Sequence, residues 1–100
     1  MILKPGMRLQ SATCDAQVIV VRGASDFDIR CGGQAMALVG ETVERVPADE
    51  AHSGGTLLGK RYADDAAGVE LLCTKAGAGS LSVGDTPLLV KGTKALPASD

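Results

Sequence analysis

The chain has 100 residues, of which 45% are apolar, and a formal net charge of −2. That length supports one domain with one core, and so large an apolar share excludes a disordered chain. It carries no basic block, and Tyr62 and Phe27 are its only aromatic residues, which excludes the electrostatic footprint and stacking faces of nucleic-acid binders.

The first residues, Met1 to Gly6, hold neither a long apolar region nor a cleavage site, so no signal peptide is expected. No apolar run approaches the roughly 18 residues that a membrane-crossing helix needs. Lys4-Pro5-Gly6 reads as a turn, and Met7 to Gln10 as a short strand. Ala16 to Arg22 (AQVIVVR) is dense in β-branched residues and predicts the strongest strand of the chain. Gly23 to Asp26 turns the chain. In Asp28-Ile29-Arg30-Cys31 polar and apolar residues alternate, which aims Ile29 and Cys31 at one face. Gly32-Gly33 is a hairpin signal, because glycine supplies positive φ without steric cost. Gln34 to Val39 is expected to return as one strand.

The stretch 40–55 is polar and acidic and reads as a linker, with Val43 to Val46 as an edge strand and Ala48 to His52 as one helical turn. Beyond it, Gly68 to Thr74 and Ser80 to Val83 read as strands joined by the glycine-rich loop Ala76 to Gly79. Gly84-Asp85 makes a second hairpin turn, and Thr86 to Lys91 the return. Residues 92–100 read as a loose tail.

The two halves superpose as patterns. Gly6, Arg8 and Leu9 fall on Gly59, Arg61 and Tyr62. The run Val18-Ile19-Val20 falls on Leu71-Leu72-Cys73, and Arg22 on Lys75. After a one-residue gap, Ile29, Cys31, Gly32 and Met36 fall on Leu81, Val83, Gly84 and Leu88. The expected fold is therefore all-β: one domain over 1–100, a small barrel or two-layer roll of seven to eight short strands. It consists of pseudo-repeat units 6–36 and 59–88 about a two-fold axis.

The chemistry-bearing residues are few. Three cysteines, Cys14, Cys31 and Cys73, are too widely spaced for a disulfide framework, which points to a reducing compartment, the cytoplasm. With His52, the only histidine, they make a candidate Cys₃His set for zinc or an iron–sulfur cluster. No close Cys pair is present, however. Cys31 and Cys73 occupy positions that their counterparts fill with Val83 and Val20, which predicts buried, unreactive thiols beside an accessible Cys14. The glycine-rich run Ala76 to Ser80 leads into a strand, so a tight connection fits it better than a phosphate cradle. Asp26, Asp28, Asp64 and Asp65 read as turn residues.

The matched cations Arg8 and Arg61, with Arg22 and Lys75, form a candidate site for a small anionic ligand. Pro87-Leu88-Leu89-Val90 is an apolar returning strand and, at a sheet edge, a candidate interface. No nucleophile, base and orienting group occur together. The reading that follows is a non-catalytic β module with no cofactor, either an accessory subunit of a cytoplasmic enzyme complex or a self-associating domain. A three-cysteine metalloprotein and an arginine-based anion binder are the alternatives.

Overall fold

The computed structural model describes residues 1–91; the predicted tail, 92–100, lies outside them. The described chain contains β1 (Arg8–Gln10), β2 (Gln17–Arg22), β3 (Ile29–Cys31), β4 (Gln34–Ala35), β5 (Ala37–Leu38), β6 (Arg61–Asp64), β7 (Val69–Lys75), β8 (Leu81–Val83), β9 (Thr86–Pro87) and β10 (Leu89–Lys91). A 3₁₀ turn, Glu50–His52, begins where the Asp49 side chain accepts the Ala51 N–H at 3.0 Å.

All pairing is antiparallel. One sheet runs β10-β6-β7-β2-β1-β5 and the other β4-β3-β8-β9. Among the described residues no barrel closes, because each sheet ends in two edge strands. Of the two expected architectures, barrel or two-layer roll, the barrel is not formed: two antiparallel sheets share one core.

The period-2 rule sorts the larger sheet into faces. Leu9, Val18 and Cys73 lie in one cross-strand row, and Val20, Leu71 and Tyr62 in another. All six are buried, and they pack with Ile29, Cys31 and Leu81 of the smaller sheet in one apolar cluster. Arg8, Ile19, Leu72, Arg61 and Lys91 make the intervening row, which faces outward. The alternation in AQVIVVR thus becomes an inside and an outside.

Both hairpin turns form where glycine permits them. Gly32 and Gly33 have φ of +66° and +85°, which fits a primed turn, and Gly84 has φ of +57°. The returning segments depart from expectation. Instead of one strand over 34–39, the chain breaks at Met36, and the same happens at Leu88. Each of these side chains is buried, and their N–H groups donate to Ile29 O at 2.9 Å and Leu81 O at 3.0 Å. The residue that plugs the core also passes the chain from the small sheet to the large one.

Two further differences concern the middle of the chain. Arg61–Asp64 is an additional strand that its composition did not announce; it is held between β7 and β10. Val43 to Val46 forms no strand; a backbone bond from Val46 N to Ala12 O, 2.8 Å, and the Arg45–Asp15 pair tie it down.

Candidate functional site

Cys14 sits in a tight turn between β1 and β2. The Ser11 hydroxyl oxygen accepts the N–H groups of Thr13 at 3.0 Å and Cys14 at 3.2 Å, a serine turn that fixes the loop. Cys31 ends β3, whose pairing with β8 draws in the Ala76–Gly79 loop from behind. These two placements bring the Cys14 and Cys31 sulfurs to 3.9 Å from each other. Cys14 is half-buried and Cys31 fully buried.

The glycines of the loop make room for the sulfurs. A Cβ on Gly77 would stand 2.6 Å from Cys14 Sγ, and one on Gly79 would stand 3.0 Å from Cys31 Sγ. The loop connects β7 to β8 and lies against the thiol pair. Its Gly79 N–H donates to Cys14 Sγ at 3.4 Å. The Thr56 side chain, buried, anchors the loop by donating to Gly79 O at 2.6 Å.

The two thiols have opposite acidities. Burial of the Cys14 sulfur is the largest influence and opposes ionisation. It is outweighed together by hydrogen bonds from the Ser11 hydroxyl, the Ala16 and Gly79 N–H groups and the Cys31 thiol, which bring the pKa from 9.0 to about 7. Burial dominates at Cys31 and pushes that thiol up to about 11. Burial also raises Cys73, whose thiol donates to Lys75 O at 3.2 Å.

The sign of each effect on stability follows from linkage. The folded state releases the Cys14 proton more readily than the unfolded chain, so this thiol's contribution is present above pH 9.0 and lost as pH falls through about 7. Cys31 acts in the other direction: its contribution is intact below 9.0 and lost as pH rises towards about 11. Native alkylation should accordingly label Cys14 with a midpoint near pH 7, while Cys31 and Cys73 react only on unfolding. Fast labelling of Cys73 in the native protein, read by peptide mass mapping, would refute this division.

A cleft of about 190 Å³ opens on Cys14, lined by Gln10, Asp15, Gln17, Arg45 and Lys75 among others. Arg45 closes part of it by donating to Asp15 at 2.9 Å, an exposed pair of little energetic weight.

The predicted metal set divides. Cys14 and Cys31 meet, but Cys73 faces the core from β7 opposite Val18, and His52 lies in the 3₁₀ turn, its ring edge against Gly33. Among the described residues no three His, Cys, Asp or Glu side chains gather to hold a metal ion. This donor set therefore does not fit zinc or an iron–sulfur cluster.

The predicted cations do not converge either. Arg8 and Arg61 share the outward row but are separated by Ile19 and Leu72, three strand spacings and so roughly 14 Å. Arg61 lies 3.5 Å from Glu70, a buried carboxylate that also accepts from Lys91 at 2.9 Å. Arg22 pairs with Asp65 at 3.3 Å, and Lys75 belongs to the Cys14 cleft.

Of the apolar segment, Leu88 is buried and Pro87, Leu89 and Val90 are exposed; Leu89, at 72%, is the most exposed large apolar residue described. A groove of about 370 Å³ runs along β10, walled by Ala63, Asp64, Thr86 and Pro87 among others. The opposite edge, β5, is closed differently. Gln10 Nε2 donates to Leu38 O and Glu41 O, each at 2.9 Å, and Glu41 Oε1 accepts the Leu38 N–H at 3.0 Å. Among the described residues no side chain caps β10 in this way.

The spacing of the cysteines along the chain gives no sign of the Cys14–Cys31 contact. Its available signal was the glycine-rich loop, whose lack of side chains allows backbone to press against sulfur. No helix among the described residues is long and apolar enough to cross a membrane. No protein-family model, curated protein or solved structure matches this chain.

Proposed function

We infer that the protein is a non-catalytic β module, acting in the cytoplasm by adding a strand of another protein to the β10 edge. The observation that carries this reading is Leu89, 72% exposed on an edge strand beside a groove. An open edge offers a row of backbone donors and acceptors, and an adjoining apolar side chain adds the burial that makes pairing specific. The partner is either the larger subunit of an enzyme complex or a second copy of the chain.

The same reading takes the chain as one domain of two similar units, 6–36 and 59–88, with 40–55 as linker. Register supports it. Val18, Ile19 and Val20 pair with Cys73, Leu72 and Leu71, a symmetric arrangement about Ile19 and Leu72. Leu9 opposite Leu38 matches Tyr62 opposite Val90, and Arg30 opposite Ala35 matches Ser82 opposite Pro87. On this view β5 and β10 are equivalent edges, one capped by Glu41 and one left for a partner.

The test is Leu89→Lys, a surface change away from the core and expected to alter stability by less than about 0.5 kcal/mol. Light scattering and affinity capture from the native host should show an assembly with the wild type that the variant loses, at an unchanged melting temperature. Equal assembly by both proteins would reject β10 as the interface.

A further inference from the structure

Beyond the edge-pairing role, and independent of it, we propose that Cys14 and Cys31 form an oxidisable dithiol: Cys14 is the site attacked by hydrogen peroxide, and Cys31 resolves the product to an intramolecular disulfide.

Four features of the geometry combine. The sulfurs stand 3.9 Å apart, so closing to the roughly 2.05 Å of a disulfide needs less than 2 Å of movement. Cys14 lies in a loop rather than a strand, where a rotation about its side chain does not break a sheet. It alone of the pair meets a cleft, and that cleft is small and almost wholly polar, suited to a small polar oxidant and not to a bulky apolar one. The Gly79 N–H donates to the sulfur at 3.4 Å, and the Ser11 hydroxyl oxygen lies 3.5 Å from it; an N–H aimed at the sulfur favours the thiolate, the nucleophilic form. The low acidity of the buried Cys31 thiol suits a group that keeps its proton until the second step.

The chemistry balances. The Cys14 thiolate attacks one peroxide oxygen, the O–O bond breaks, and Cys14 sulfenic acid and hydroxide form. The Cys31 sulfur then attacks the Cys14 sulfur. The S–O bond breaks, the hydroxyl leaves with the Cys31 proton as water, and an S–S bond forms. Two thiols have lost two electrons to the peroxide. Cys73, whose thiol is engaged by Lys75 O, takes no part.

The experiment is mass spectrometry of the native full chain exposed to a small excess of hydrogen peroxide. The wild type should lose two hydrogen atoms in mass and yield a Cys14–Cys31 cross-linked peptide, with a rate falling roughly tenfold per pH unit on the acid side of its midpoint. Cys31→Ser should stop at sulfenic acid, a gain of one oxygen trapped by a 1,3-dione, and Cys14→Ser should show neither product. The wild-type measurement stands by itself should a cysteine variant fold poorly. An intact dithiol, a cross-link through Cys73, or equally fast oxidation by the bulky cumene hydroperoxide would overturn the proposal.

Discussion

Leu71→Ala should lower the unfolding free energy by about 2–5 kcal/mol, the range for truncating a buried leucine. Leu71 is completely buried in β7, flanked by Val20 of β2 and Tyr62 of β6, so the cavity opens where both halves of the large sheet meet. Few neighbours can collapse into it, because those strands are paired on both sides. A small domain has about 5–15 kcal/mol in total, so a large fraction is lost and the melting temperature should drop by roughly 10 °C or more. Leu58→Ala is the matched control: Leu58 is 65% exposed and should cost little. Chemical denaturation of both variants decides the matter. An effect below 1 kcal/mol at Leu71 would mean that the core is not organised around the β2–β7 seam.

Gly77→Ala should be a damaging single-methyl addition on the thiol side of the molecule. The new carbon would sit 2.6 Å from Ala16 N and 2.8 Å from Ala16 Cβ, as well as 2.6 Å from Cys14 Sγ. The sulfur can rotate away, but the backbone nitrogen cannot, so the Cys14 turn and the glycine loop must separate. Overpacking of this kind costs about 1–3 kcal/mol. It should also withdraw the Gly79 N–H from Cys14 and move the alkylation midpoint back from about 7 towards 9.0. Gly54→Ala, whose added carbon meets only Ser80 Cβ at 3.8 Å, should change neither stability nor titration appreciably. Parallel melting and alkylation curves for the two variants provide the check, and an unchanged midpoint in Gly77→Ala would dissociate the loop from the acidity of Cys14.

Much of the β architecture was legible because local residues declared it. AQVIVVR specifies a strand by branching and by alternation, and Gly32-Gly33 and Gly84 specify turns through the φ they permit. The breaks at Met36 and Leu88 were not legible. A buried residue in an extended run looks the same whether the strand continues or crosses to another sheet, and only the second layer distinguishes the two. Strand β6 lacked a branched run of its own and takes its form from pairing with β7 and β10.

The candidate site was less legible for a related reason. Cys14 and Cys31 belong to different elements, and their approach depends on β3 pairing with β8 and carrying the glycine loop with it. Nothing in the spacing of the thiols along the chain encodes that approach. Placing Cys31 and Cys73 at positions where valine would serve indicated their burial, but said nothing of what touches a buried sulfur. The arginines misled in another way. Similar local patterns led to the expectation that they meet, but β2 and β7 lie between their strands and keep Arg8 and Arg61 on opposite flanks of the sheet.

The β2–β7 seam has a consequence for how the molecule comes into being. Its partners, such as Ile19 and Leu72, are separated by roughly fifty residues of chain, and β3 reaches β8 over a similar distance. Neither sheet can be completed while the ribosome still holds the second half. Until then β2 is an exposed, strongly β-forming segment without its central neighbour, and the closure of so long a loop places folding in the slow, millisecond-to-second regime of non-local topologies.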